Sequence, residues 1–303
     1  MRRIFCTFCG TAALLLQGSG ALLGQCTREV IYAVQDGFLE PQCVRQLILR
    51  KKKMEVLPPG MGRYTGMQIL DIQKNRLRDL PAEAAALNAL QQLIASGNEL
   101  RRFPAPVYRM TALRTLLLDR NHITEVPDSI AALTSLQTLD LSYNDLASLS
   151  EEIGGLRSLT VLSLANNRLL YLPASIGGLQ KLRTLQLEGN ALTELPHGIG
   201  KLRHLQDLDL STNKLRALPS NIGELKALRS LTLTGNSLTA LSSSIGKLHA
   251  LEVLIIGQNG LTSLPASVKN LKSLKTLILT GNNFSAEAQK QIREWLPGAQ
   301  IYF

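Results

Sequence analysis

Leu136-Gln137-Thr138-Leu139-Asp140-Leu141-Ser142-Tyr143-Asn144-Asp145-Leu146 is the stretch that decides the fold. Leu139 and Leu141 are two residues apart, so in an extended chain they point to one face, while Thr138, Asp140 and Ser142 point to the other. The same frame, L-x-x-L-x-L-x-x-N-x-L, returns with asparagine at 75, 98, 121, 144, 167, 190, 213, 236, 259 and 282, every interval being 23 residues. One more copy, Val44 to Met54, precedes this ladder and carries Lys52 where the asparagine belongs. A single copy cannot bury its leucines, whereas eleven stacked copies bury a continuous core. The spacing therefore predicts a solenoid with one short strand per coil and the strands side by side in a parallel sheet. The asparagine side chain has two donors and two acceptor sites. Inside the turn it is expected to bond backbone groups of its own and the next coil, which would otherwise be buried unpaired.

The second half of each copy narrows the reading. Proline stands six residues after the ladder position at 58, 81, 104, 127, 173, 196, 219 and 265, with Ser150 and Ser242 as replacements. Its ring fixes a corner and it supplies no N–H. Ile-Gly-x-Leu follows, as in Ile176-Gly177-Gly178-Leu179 and Ile222-Gly223-Glu224-Leu225, and predicts a short helical or irregular outer run. Two early copies depart from it with Ala84-Ala85 and Val107-Tyr108. With these motifs the chain resembles the leucine-rich repeat family, in the L-P-x-x-I-G-x-L form of the Ras-group repeats and their bacterial relatives. The resemblance implies an α/β leucine-rich repeat solenoid: a curved parallel sheet on the concave face, short helical or irregular segments on the convex face.

Outside the repeats at 44–284, both ends read as separate objects. Met1-Arg2-Arg3, the uncharged run from Ile4 to Leu23 and the loosening glycines resemble a secretory signal peptide over 1–25. Export to the periplasm, cell surface or medium follows from it; a cytosolic signalling scaffold, like the Ras-group relatives, is the alternative if residues 1–25 stay attached and inside. Membrane attachment requires either a lipid on Cys26, before which Gln25 stands instead of a small residue, or an uncleaved leader. Residues 26–43 read as an N-terminal cap, with a helical turn expected at Glu29–Val34, and Cys26 either pairs with Cys43 or stays free. Ser285-Ala286-Glu287 opens a C-terminal cap helix with an N-cap serine, and Gln300–Phe303 reads as one more strand, so 285–303 closes the stack. A monomer is expected.

Composition excludes other classes. At 45% hydrophobic the chain is not disordered, and four cysteines in 303 residues do not make a disulfide scaffold. The signatures of catalysis are missing. Thr280-Gly281-Asn282-Asn283 lacks the Lys-Ser/Thr of a phosphate loop, and the only C-x-x-C, Cys6 to Cys9, lies in the leader. His122, His197, His204 and His249 do not recur at one repeat position beside a carboxylate pair. No cofactor and no enzymatic activity are expected.

Surface remains. The middle outward strand position runs Ile48, Asp71, Ile94, Leu117, Asp140, Ser163, Gln186, Asp209, Thr232, Ile255 and Ile278, polar and partly acidic at the centre and aliphatic at both ends. Neighbouring positions add Asp119, Tyr143, Glu188 and Asp207, and the pairs Asp119/Asp140 and Glu188/Asp209 are expected within reach of each other on adjacent strands. Asp119, Asp140, Tyr143, Glu188, Asp207, Asp209, Ile255 and Ile278 are the candidate contacts for a protein or peptide with basic and apolar features. Arg157, Lys181, Lys201, Lys226, Lys247, Lys272 and their neighbours fall between each glycine and the next strand, where stacking would align them as a positive rim for an anionic polymer. Nucleic acid is not expected, because aromatic residues for base stacking are nearly absent from the outward positions.

Overall fold

The structure, a computed structural model, describes Val30, Ile31 and residues 41–303. Among the described residues the sequence period becomes a single sheet of thirteen strands, each hydrogen-bonded to its neighbours in chain order. It begins with β1 (Val30–Ile31) and β2 (Gln46–Ile48) and ends with β12 (Thr276–Ile278) and β13 (Gln300–Tyr302). Pairing is parallel throughout and keeps the repeat in register: Leu116, Leu139 and Leu162 are successive partners, as are Leu208, Leu231 and Leu254. The first of these strands, β5 (Thr115–Leu117), and β6 (Thr138–Asp140) are three residues long, like most of the sheet. Their inward leucines are fully buried, and so are Ile153, Ile176, Ile199, Ile222 and Ile245 of the outer turns. Strand and turn thus share one apolar core.

The ladder asparagines lie inside the turns as the spacing predicts, with one correction. Asn167 Nδ2 donates to the carbonyls of Leu164 in its own coil (3.0 Å) and Leu141 in the preceding one (2.9 Å), while its Oδ1 accepts from the N–H of Leu146 (3.0 Å). The coil it ties is therefore the previous one, not the next. The backward reach explains Lys52: the turn of the β2 coil is pinned by Asn75, whose Oδ1 accepts from Lys52 N (2.9 Å) and Met54 N (3.2 Å).

The outer runs are short 3-10 helices, such as Ala174–Gly178 and Ser220–Glu224. The motif glycine is there for space. A Cβ on Gly177 would lie 2.6 Å from the carbonyl oxygen of Gly198, and one on Gly223 would collide with that of Ser244. A feature the sequence reading missed sits just before each ladder position. Residues 51, 74, 97, 120, 143, 166, 189, 212, 235, 258 and 281 all have φ between 52° and 75°. Four of them are glycine, for which this region is open, but Thr212, β-branched, is held there at φ 52°.

At the C-terminal end α1 (Ala286–Trp295) starts on Ser285, whose side chain accepts from Ala288 N, and buries Ile292 against the last coil. At the other end the helical turn expected at Glu29–Val34 is contradicted where it can be seen. Val30 and Ile31 form β1, paired with Gln46 and Leu47, because an unpaired edge of β2 is there to be covered. Cys43 is disulfide-bonded. The leader at 1–25, Cys26 and the rest of the cap lie outside the described residues.

Candidate functional site: the concave floor

Alternation of the short strands brings the outward side chains into columns across the sheet. The middle column passes from Leu117 to Asp140 to Ser163, and from Gln186 to Asp209 to Thr232, each residue the registered partner of the next. It continues from Ile255 through Ile278 to Tyr302 on β13, half exposed. The sequence reading missed Tyr302 because the last step of the coil is 24 residues rather than 23.

The acids of the floor fall into two kinds. Asp140 accepts from the N–H (2.9 Å) and hydroxyl (2.6 Å) of Ser142, and Asp209 from the N–H (2.9 Å) and hydroxyl (2.5 Å) of Ser211. Asp71, almost fully buried, does the same with the N–H of Gln73 and pairs with Arg50 at 3.1 Å. These are Asx turns that fix the carboxylate at the strand end. Asp207, in contrast, is exposed on strand β9 (Asp207–Asp209), and its carboxylate has no hydrogen bond or ion pair among the described residues.

The two expected acid pairs are not direct cross-strand neighbours. Register sets Asp140 opposite Leu117 and Asp209 opposite Gln186, so Asp119 and Glu188 lie two residues further along, a diagonal step away. The Asp119 carboxylate turns back to the Ser96 hydroxyl and lies 3.9 Å from Arg120 Nε. Glu188 accepts from Asn166 Nδ2 at 3.4 Å. Tyr143 stands at the rim with 46% of its surface exposed and the Arg120 guanidinium 4.5 Å from its ring centre. The structure thus brings Asp207, Asp209, Ile255 and Ile278 together at one end of the floor and leaves Asp119, Tyr143 and Glu188 at its edge. Thr184, Gln186, Asp207, Asp209, Ser230 and Thr232 line a shallow hollow of about 160 Å³ there. Its two carboxylates among hydroxyl and amide groups suit an ammonium or guanidinium, and Ile255, Ile278 and Tyr302 offer an apolar shelf beside it.

Two groups away from the floor are shifted by structural contacts. Glu151 is held below the usual carboxylate range by hydrogen bonds from Ser175, with a further bond from Ala174, and so ties two outer turns. Burial beside Phe103, with the charge of Glu125, pushes the Tyr108 phenol up to about 12. Among the described residues no group of three His, Cys, Asp or Glu side chains is arranged to hold a metal ion, and no helix is long and apolar enough to cross a membrane.

A search of curated proteins found no match. Among solved structures, a leucine-rich repeat protein of Leptospira interrogans is 29% identical over 86% of this chain and 84% of its own, with a TM-score of 0.57. The ectodomain of a plant membrane receptor kinase from Arabidopsis thaliana, solved with Casparian strip integrity factor 2, is 25% identical with a TM-score of 0.62; this chain spans 35% of its length. An internalin of Listeria monocytogenes shares the fold at 19% identity, covering 86% of this chain and 87% of its own with a TM-score of 0.66. Proteins of this fold are generally protein-binding scaffolds, in which a stack of coils presents one extended concave surface. Two family models match, described as a leucine-rich repeat region over residues 105–187 and 174–237, and as a leucine rich repeat over residues 226–284. With that unbroken match laid over the registered coils, the chain belongs to the leucine-rich repeat family.

Proposed function

We propose that this chain is an exported bacterial binding protein without catalytic activity, which acts as a monomer and takes a protein or peptide segment on its concave floor. The observation that carries the reading is Asp207, a free, exposed carboxylate beside the fixed carboxylate of Asp209, with an apolar shelf from Ile255 to Tyr302 next to it. A segment that sets a lysine or arginine in the hollow and an apolar side chain on the shelf satisfies both. Because the floor is rigid, ordering costs on binding fall mainly on the partner. Asp119, Asp140, Tyr143 and Glu188 form the continuation of this surface toward the early coils. Residues 1–25 serve as the cleaved leader, and 26–43 and 285–303 close the two ends of the stack.

The surface is tested with Asp207→Asn/Asp209→Asn. Amides keep the size of the side chains and can still accept the Ser211 bonds, so only charge is removed. Proteins captured by the wild type from a cell-surface fraction should be lost by the variant, with unfolding unchanged. Capture of the same proteins in the same amounts would end the assignment. Mass spectrometry of the native N-terminus tests export: a chain starting near Cys26 supports it, a retained Met1 contradicts it, and a diacylglyceryl adduct on Cys26 would make the protein membrane-anchored.

A further inference from the structure

Charge is distributed unevenly along the edge where the outer turns return to the strands. The place thirteen residues after the ladder asparagine holds Asn88, Thr111 and Thr134 in early coils, then Arg157, Gln180, Arg203, Lys226, His249 and Lys272, all exposed. From coil to coil these side chains advance by about 5 Å, the spacing of neighbouring strands. Eleven Lys and Arg lie on this edge between Gly154 and Lys275, against two acids, Glu224 and Glu252. Glu252 is already engaged, by Lys275 at 2.5 Å and Arg229 at 3.5 Å. Its hydrogen bond from Lys275, the charge of that residue and that of Arg229 hold its carboxyl below the usual range. In the middle of the track His197, Lys201 and Arg203 line a depression of about 530 Å³ with Gln180, Asn221 and Glu224. Its wall is fixed, because Asn221 Nδ2 donates to the His197 carbonyl at 2.7 Å.

We propose that this edge of the C-terminal coils is a binding track for an acidic polysaccharide, separate from the concave floor. The chemistry selects among polyanions. Among the described residues the exposed aromatic side chains, Tyr143, Tyr171 and Tyr302, are not on this edge, so nucleobases find nothing there to stack on. The other large exposed apolar residues among those described, Val56 and Leu170, are also elsewhere, so a lipid surface gains charge attraction without insertion at this edge. A linear polymer whose sugars carry carboxylate or sulfate groups needs neither. Its charges repeat along one line, as the cations do, and a sugar ring is comparable in length with the coil spacing.

The test uses heparin and a polyuronate as probes with the full chain. Lys201→Glu/Arg203→Glu/Lys226→Glu is compared with Arg76→Glu/Arg101→Glu/Arg102→Glu, which changes net charge equally on the opposite edge, at side chains without ion-pair partners among the described residues. Wild-type binding should weaken by about tenfold or more between about 50 and 200 mM salt. The first variant should lose about tenfold or more at low salt, and the second should stay within about twofold. Equal losses in both variants would show that net charge alone is responsible and overturn the track. Tighter binding of double-stranded DNA or of phosphatidylglycerol vesicles than of either polysaccharide would overturn the ligand class. The Asp207/Asp209 variant should keep polysaccharide binding, which separates this inference from the groove.

Discussion

The floor of the sheet and the basic edge belong to the same coils, a few residues apart in sequence, and they are held in different ways. Two carboxylates of the floor are fixed by their own strand ends: Asp140 and Asp209 each accept two bonds, from the N–H and the hydroxyl of the serine two residues on, while Asp207 stays free. Cations of the edge stand on long, exposed side chains, and one that is tied, Lys226, merely donates to the Gly223 carbonyl. The floor is thus shaped before a partner arrives and suits recognition of one geometry. The edge keeps its rotamer freedom and suits a polymer read by charge. Both depend on the same stack of asparagine-pinned coils.

That shared dependence gives the largest effect. Asn167→Ala leaves the Leu146 N–H and the Leu141 and Leu164 carbonyls without their partner, and should cost about 1–3 kcal/mol in urea unfolding. Asn282→Ala removes the equivalent bonds from a less buried turn and should cost less; equal costs would mean that burial does not set the value of these bonds. The next effect separates structure from charge on the floor. Asp140→Ala removes the Asx turn and should cost about 1 kcal/mol, whereas Asp140→Asn should cost only a few tenths. If both variants unfold alike, the serine bonds contribute nothing to the rigidity of the floor. At Thr212, glycine relieves a β-branched residue held at φ 52° and should raise stability by about 0.5 kcal/mol, after the entropy that glycine adds to the unfolded chain. The smallest effect belongs to the edge: Lys201→Glu/Arg203→Glu/Lys226→Glu should change stability by less than about 0.5 kcal/mol. A larger loss would show that those side chains hold the coils together.

Most of the fold was legible in the sequence because a buried polar residue at a fixed period has few explanations. Asparagine every 23 residues in an apolar frame implies a stack, and parity along the strand tells floor from core. Direction was not legible, since the side chain offers the same donors and acceptor to either neighbour. The left-handed step before each asparagine was signalled by Gly97, Gly189, Gly235 and Gly281, but Lys74, Tyr143 and Thr212 at the same place hid it. On the floor, candidate residues could be assigned to columns, yet the pairs Asp119/Asp140 and Glu188/Asp209 mix two columns and are diagonal rather than direct neighbours. Asp-x-Ser at 140–142 and 209–211 was a readable Asx signal. Tyr302 fell out of phase with the period and only the sheet register returned it to the floor.

The most direct measurement of the central claim is quantitative capture from a cell-surface fraction by wild type, Asp207→Asn/Asp209→Asn and the edge triple variant, side by side. If the floor is the protein-binding face, the first variant loses the captured proteins and the second retains them. Retention by the floor variant and loss by the edge variant would contradict the account.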